Sequence, residues 1–167
     1  MSTEATAMSE RDEVVEVLAR YARALEDRDA DAVAELFVPD GTFQLFSRDG
    51  RGAYVPGQVV AGRERIRAMV GGGSLSSRRG MHYLTSDHIV EITGDEASLR
   101  AQFIAVESNG DIPSGDKWTA GASVLKGSYA LTMVGRYESQ LRKTGGRWQF
   151  AAHQVKHNLP MAARPSQ

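Results

Sequence analysis

The chain has 167 residues, of which 41% are hydrophobic and 25% are charged, and its formal net charge is -1. This length and composition are typical of one globular domain with an apolar core. The balanced charge gives no long-range field that would attract a phosphate backbone, so we expect no nucleic-acid partner. The chain contains no cysteine, which excludes disulfides, thiolate catalysis and cysteine-ligated metal sites.

The sequence also bears on location and domain limits. Its longest apolar runs are too short to cross a bilayer. Residues 1–8 lack the basic region and the apolar core of a secretory signal, so we expect a cytoplasmic protein without a membrane partner. We expect one domain over residues 10–159, with disordered tails at 1–9 and 160–167.

The first long amphipathic segment, Arg11–Asp27, organises the chain. Ser9 is suited to cap it as a helix, and Asp12 in the first turn complements the positive helix end. Glu26 directly follows the apolar face, where desolvating a carboxylate is unfavourable unless it finds a partner. We therefore expect Glu26 to face a cavity and to pair with His82. The apolar face, at helical spacing, consists of Val14, Val17, Leu18, Tyr21 and Leu25.

Shorter helices and then strands follow this segment. Asp29 is expected to cap a second helix, and Pro39-Asp40-Gly41 is expected to form a turn. Residues 47–57 are rich in glycine and polar residues and are either a hairpin tip or a mobile flap. Flexible connections are predicted from Gly71 and over Ser108–Asp116. The predicted helices are Ala30–Phe37 and Gly62–Val70, and the predicted strands are Thr42–Phe46, Met81–Ile92, Ala97–Glu107, Val124–Lys143 and Arg147–His157.

The order of these elements predicts the fold class. Helices come first and mostly antiparallel strands come after, so we expect an α+β domain whose helices pack in one curved sheet. A sheet that curls around helices forms a cone with an open mouth. Such mouths are common binding sites for small molecules.

Four stretches resemble those of SnoaL-like proteins in the NTF2-like superfamily, and together they span roughly residues 10–157. One of them, Met81–Leu84, contains His82 at the start of a strand. Another, which ends in Gly146–Trp148, is similar to the closing hairpin of the family with its Gly-x-Trp motif. The resemblance implies an NTF2-like cone. The stretches are Tyr21–Phe37, Gly62–Ile66, Met81–Leu84, and Gly135–Glu138 together with Gly146–Trp148.

The histidine motif is most similar to the branch that holds scytalone dehydratase, bile-acid 7α-dehydratase and hexachlorocyclohexane dehydrochlorinase. This resemblance implies a cofactor-free active site in which an acid pairs with a cone-lining histidine. The acid falls on Glu26, where the family usually has aspartate, the histidine on His82 and a tyrosine on Tyr21. We expect the cone to bind substrate through Phe46, Phe103, Glu107, Tyr137 and His153.

A carboxylate–histidine pair has a definite chemistry. A neutral imidazole can take a proton near a leaving group, and a carboxylate at its other nitrogen fixes the tautomer and stabilises the imidazolium. A phenol can donate a hydrogen bond to a carbonyl or a departing hydroxyl. We therefore expect a lyase or isomerase, dehydratase-like or cyclase-like, that acts on a small polyketide-, steroid- or terpenoid-like substrate.

Each residue also has a structural interpretation. Tyr21 is equally suited to the core, Glu26 to a helix-end ion pair with Arg23 or Arg28, and His82 to a structural hydrogen bond. His153 and His157 share a strand face, but no further ligand completes a metal site, so none is expected.

Two other functions fit the same resemblance. One is a non-catalytic module that binds a hydrophobic molecule or forms dimers, and the other is the small subunit of a ring-hydroxylating dioxygenase. Relatives usually self-associate through the outer face of the sheet. We therefore expect a homodimer or a larger homo-oligomer.

Overall fold

The computed structural model describes residues 8–72, 80–109 and 127–160. The predicted tails fall almost entirely outside these ranges, as does most of the loop predicted at 108–116. None of the helices within the ranges is both long and apolar enough to span a bilayer. The elements are α1 (Glu10–Asp27), α2 (Ala30–Glu35), β1 (Phe37–Arg48), β2 (Tyr54–Ala61), α3 (Arg63–Gly72), β3 (Met81–Thr93), β4 (Glu96–Asn109), β5 (Ser128–Thr144) and β6 (Arg147–His157).

Side-chain caps set the first two helices, as predicted. The Ser9 hydroxyl accepts a hydrogen bond from the backbone N–H of Asp12 at 3.2 Å and begins α1. Arg28 ends this helix in the left-handed conformation, with φ of 59°. The Asp29 carboxylate then accepts from the N–H of Ala32 at 2.9 Å and begins α2. These caps satisfy backbone groups that a helix end leaves unpaired.

The six strands form one sheet in the order β2-β1-β6-β5-β4-β3. Strand β1 pairs in parallel with β6, and the other neighbouring strands are antiparallel. The helices pack on the inner face of this curved sheet. The predicted α+β cone is therefore confirmed.

Strand β1 departs from the prediction. The turn expected at Pro39-Asp40-Gly41 lies inside this strand, and the second helix ends at Glu35 rather than Phe37. Phe37 and Thr42 both pair with β6, and the irregularity between them accommodates the turn-forming residues. Pairing with a distant strand therefore overrides the local turn preference. Residues 47–57 form a hairpin, the first of the two predicted alternatives.

A column of stacked rings fills the deep part of the cone. The ring of Phe103 stacks on that of Tyr137 with centroids 4.5 Å apart, and Tyr137 stacks on His153 at 5.1 Å. The column continues from His153 to Phe150 at 4.5 Å and from Phe150 to Phe37 at 5.2 Å. Offset and tilted ring pairs of this kind contribute beyond the area they bury. We call these five residues the aromatic column.

Helix α1 covers the column through one tyrosine. The ring of Tyr21 lies edge-on to His153 at 4.5 Å, to Phe150 at 5.9 Å and to Tyr137 at 6.0 Å. Tyr21 is only 4% exposed. Its position on the apolar face of α1 therefore places it in the core.

Within the part of the chain that the structure describes, burial of the inner face decreases towards the C-terminal end of β4. Phe103 and Ala105 are buried there, whereas Glu107, on the same strand face, is half-buried. Ala105 pairs with Tyr83 on one side and with Met133 on the other, and both neighbours are half-buried. We call this end of the cone the mouth.

At Gly135, the sheet leaves no room for a side chain. A Cβ at this position would overlap the carbonyl oxygen of Lys156 and lie 2.7 Å from the ring of Phe103. We predict that Gly135→Ala lowers the free energy of unfolding by about 3 kcal/mol, since the added methyl must displace backbone or the aromatic column. Denaturant unfolding measures this change.

Gly50→Ala is the matched control, because a Cβ at Gly50 meets no atom within 4 Å. This variant should keep the unfolding free energy of the original chain to within about 0.5 kcal/mol. Equal stability of the two variants would contradict the tight packing at Gly135.

Candidate functional site

The Glu26 carboxylate lies at the end of α1, against the edge strand β3. One oxygen, Oε1, accepts the backbone N–H of Tyr83 at 2.7 Å. The other, Oε2, lies 3.3 Å from a guanidinium nitrogen of Arg23 and 3.9 Å from Nδ1 of His82. The side chain of Glu26 is only 14% exposed. The structure therefore brings Glu26 and His82 together, although they are distant in sequence.

The expected burial of His82 is wrong. Its side chain is 56% exposed, and its 3.9 Å distance from Glu26 is too long for a hydrogen bond. The cause is the alternation of β3, in which His82 and Leu84 point outward while Tyr83 and Thr85 point inward. The pair therefore lies on the rim of the mouth rather than in an apolar hollow. Its catalytic role stays a prediction.

The phenols of the cone are neutral. Burial, and then the nearby phenol of Tyr83, raise the pKa of Tyr21 far above its usual value. Burial also raises the pKa of Tyr137. The pKa of Tyr83 is raised by its partial burial and then by the Glu26 charge. All three groups can act as uncharged hydrogen-bond donors. Tyr21 is a buried core residue, which was the structural interpretation of this position. Its catalytic role is still a prediction.

His153 is a fully buried, neutral imidazole. Its Nδ1 lies 2.8 Å from the hydroxyl of Ser139, and its Nε2 has no hydrogen-bond partner within the described ranges. Burial lowers the pKa of His153 to about 3. Charging this ring would leave a cation among aromatic rings, which low-dielectric surroundings disfavour.

The expected position of Phe46 is also wrong. Phe46 pairs with Lys156, whose ammonium lies 5.3 Å from the Phe46 ring centroid on the outer face of the sheet. Strand alternation turns Phe43 inward instead, and its ring lies 6.1 Å from that of His153. The cone therefore uses a different aromatic residue of β1.

The other predicted binding residues lie on the inner face of the sheet. Phe103 and Tyr137 are each 2% exposed within the aromatic column, so their rings contact each other rather than an open space. Glu107 lies half-buried at the mouth, opposite Met81 of β3. The structure places these residues, and their roles in binding remain predictions.

Two inward-facing residues were missed. Tyr83 follows the predicted histidine, and strand alternation alone would have assigned one of the two to the interior. His157 shares a strand face with His153, its ring lies 5.5 Å from Phe103, and partial burial lowers its pKa. The spacing of the two histidines was the available signal for His157.

Two surface clefts lie away from the Glu26–His82 pair. One of about 240 Å³ lies between α1 and the β5–β6 turn, beside Glu13, Glu35 and Trp148. The other, of about 390 Å³, is on the outer face of the sheet beside Arg100 and Arg136. Within the described residues no group of three or more potential ligands could hold a metal ion.

The low pKa of His153 predicts a pH-dependent stability. Below about pH 6.5, the unfolded chain takes up a proton at this histidine and the folded chain does not until about pH 3. His153 therefore adds stability that is complete above pH 6.5 and is lost, by about 1.4 kcal/mol per pH unit, as the pH falls through this window. Denaturant unfolding at pH 7, 6 and 5 measures the slope.

His153→Phe removes this ionisation. It should reduce the slope of the unfolding free energy against pH by about 1.4 kcal/mol per pH unit, which corresponds to the uptake of one proton. Phe43→Leu, which changes a ring beside His153 but removes no ionisable group, is the matched control and should keep the original slope. The assignment fails if the His153→Phe variant loses as much stability on acidification as the unchanged chain.

Solved structures share this fold at low sequence identity. All three described next come from Novosphingobium aromaticivorans. An NTF2-like protein with a cystatin-like fold has a TM-score of 0.68 and 21% identity, over 89% of this chain and 81% of the other. The beta subunit of a candidate aromatic-ring-hydroxylating dioxygenase has a TM-score of 0.70 and 15% identity, over 93% of each chain. A candidate scytalone dehydratase has a TM-score of 0.65 and 18% identity, over 93% of this chain and 89% of the other.

Sequence comparison identifies the family directly. Curated proteins give no significant match. The family model described as the SnoaL-like domain matches residues 6–153, which is most of the chain. The chain therefore belongs to the SnoaL-like domain family, and its fold is the NTF2-like cone.

Proposed function

We propose that the protein is a cofactor-independent lyase or isomerase, dehydratase-like or cyclase-like, in which Glu26 and His82 transfer protons at the mouth. The supporting observation is the placement of Glu26. One carboxylate oxygen is held by a backbone N–H of β3 at 2.7 Å, and the other lies 3.9 Å from Nδ1 of His82. A fixed carboxylate beside an imidazole is suited to acid–base catalysis.

A β-elimination illustrates the proposed chemistry. His82 takes a proton from the carbon next to a carbonyl, and Glu26 stabilises the imidazolium that forms. The electron pair of the broken C–H bond forms the new double bond, and the C–O bond on the next carbon breaks. Water at the open rim supplies a proton to the departing hydroxyl. The exposed imidazole then returns its proton to solvent.

The lining of the mouth supports a small, mostly apolar substrate. Met133, which pairs with Ala105, and Leu25, which precedes Glu26, are half-buried apolar residues that pack against the core. Apolar walls with a few polar groups are typical of small-molecule sites. We propose a polyketide-, steroid- or terpenoid-like substrate. The likeness to a candidate scytalone dehydratase supports this at the level of the fold.

Dehydration of 3-hydroxy-1-tetralone to 1-naphthol tests the proposal, since this small β-hydroxy ketone yields a fluorescent product. We predict that the protein accelerates this reaction. Glu26→Gln and His82→Ala should each lower kcat by about 100-fold or more, because each variant removes one member of the acid–base pair.

His88→Ala is the matched control. His88 lies on the same strand, with its Nε2 3.1 Å from the Thr85 hydroxyl, outside the proposed pair. This variant should retain the turnover of the original chain. Full turnover by His82→Ala would eliminate His82 as the base.

The outer face of the sheet supports self-association, which we propose as a second property. Apolar side chains cluster on β3, β4 and β5: Leu84 pairs with Ile104, and Val106 pairs with Leu131. Leu84 is 59% exposed and Leu131 is 64% exposed. An exposed apolar cluster of this kind marks an interaction surface. We propose that a second copy of the chain covers it, in a homodimer or a larger homo-oligomer.

Sedimentation velocity checks this proposal. We expect the original chain to sediment as an oligomer and Leu131→Glu to sediment as a monomer, because a buried, unpaired carboxylate opposes association. Val59→Glu is the control, since Val59 is 50% exposed on the far edge strand β2. A monomeric original chain would refute the proposal.

A further inference from the structure

We infer that Tyr83 contacts the substrate, and that its phenol donates a hydrogen bond to an uncharged oxygen of a ligand in the mouth. This role rests on the proposed function, because it supplies a donor and a ligand class for the same site. A ketone, an ether or a neutral hydroxyl has the required chemistry. Tyr83 would then mark the inner limit of the site whose outer limit is the Glu26–His82 pair.

The backbone of β3 directs Tyr83 into the mouth. Tyr83 and Thr85 are half-buried, whereas their neighbours His82 and Leu84 are exposed. Across the sheet, Tyr83 pairs with Ala105, which pairs with Met133. The phenol of Tyr83 lies close enough to the inward-facing phenols of Tyr21 and Tyr137 to raise the pKa of each. The ring therefore stands over the inner face of the sheet, at the open end of the cone.

Glu26 fixes the position of this residue. Its Oε1 accepts the N–H of Tyr83 at 2.7 Å, while its Oε2 lies 3.9 Å from His82 Nδ1. One carboxylate thus lies between an outward imidazole and an inward phenol on consecutive residues.

The hydroxyl of Tyr83 is available to a ligand. None of the hydrogen bonds among the described residues uses it. Tyr54, another half-buried tyrosine, shows the usual arrangement, since its hydroxyl donates to Oδ1 of Asn158 at 2.9 Å. The Tyr83 hydroxyl is also not among the buried polar atoms that lack a partner in the described ranges, so it is in contact with solvent. A ligand oxygen can therefore replace a water at this hydroxyl.

The charges around the mouth favour an uncharged ligand. The Glu26 carboxylate lies there and disfavours a carboxylate or phosphate group, because its partner Arg23 is 81% exposed and the charge of that guanidinium is screened by water. Burial and Glu26 raise the pKa of Tyr83, so its phenol keeps its proton. A protonated phenol can donate to a neutral oxygen, while the charge of the neighbouring Glu26 carboxylate opposes the approach of an anion.

Two fluorescent probes test this inference. Prodan, 6-propionyl-2-(dimethylamino)naphthalene, is an uncharged ketone whose emission shifts to the red when its carbonyl accepts a hydrogen bond. The compound 2-(dimethylamino)naphthalene lacks the ketone. We expect Tyr83→Phe to weaken Prodan binding about fivefold and to shift the bound emission to the blue, because one hydrogen bond is lost. Its affinity for 2-(dimethylamino)naphthalene should stay within about twofold of the original.

Tyr129→Phe is the matched control, since Tyr129 is 73% exposed, and it should leave both affinities unchanged. Equal affinities of Tyr83→Phe and the original chain for Prodan would overturn the inference. A parallel loss for both probes would also overturn it, because it indicates packing rather than donation. Absence of Prodan binding by the original chain would overturn it as well.

Failure of the proposed function would look different. The proposed catalysis is tested by turnover in the Glu26 and His82 variants, whereas Tyr83 is tested by ketone-selective binding. If the protein shows no turnover but Tyr83→Phe still weakens Prodan binding selectively, the hydrogen-bond role of Tyr83 is supported and the proposed catalysis is refuted. If the protein shows turnover but Tyr83→Phe binds Prodan as well as the original chain does, the catalysis is supported and the role of Tyr83 is refuted.

Discussion

The Glu26 carboxylate joins the end of α1 to the backbone of the edge strand β3. The position of α1 on the inner face of the sheet depends on this contact. Edge strands expose unpaired N–H and C=O groups. Here Glu26 accepts the N–H of Tyr83 at 2.7 Å, and a guanidinium nitrogen of Arg11 donates to the carbonyl of His88 at 3.1 Å. The two ends of one helix thus satisfy two backbone groups of β3. The helix is held where Tyr21 covers the aromatic column.

This arrangement separates two chemical environments. The deep interior contains aromatic rings and neutral groups, with His153 kept uncharged by burial. Ionisable side chains lie on the rim, where Glu26 meets His82 and water can reach the imidazole. The proposed proton transfer at the rim would avoid the desolvation that a buried ion pair requires.

The local signals in the sequence were sufficient for most elements, but not for the orientation of single side chains. The caps at Ser9 and Asp29 and the bounds of β6 follow from nearby residues, and all three were predicted. The turn at 39–41 was misassigned because pairing with β6 involves a strand about a hundred residues away. Alternation requires adjacent residues such as His82 and Tyr83 to face opposite sides. It does not say which side is inside, since that depends on where α1 docks, and Phe46 was misplaced for the same reason.

The position of β6 in the sheet has a consequence for biosynthesis. Strand β6 follows the other five described strands in sequence but lies between β1 and β5, so it joins the β1–β2 hairpin to the unit formed by β3, β4 and β5. Until it emerges from the ribosome, the two parts have no shared ladder and their inner edges are open. Contacts of such long sequence separation form slowly, and open edges are prone to pair with other chains. A nascent chain is therefore most exposed to pairing with other chains in the interval between the synthesis of β5 and the insertion of β6.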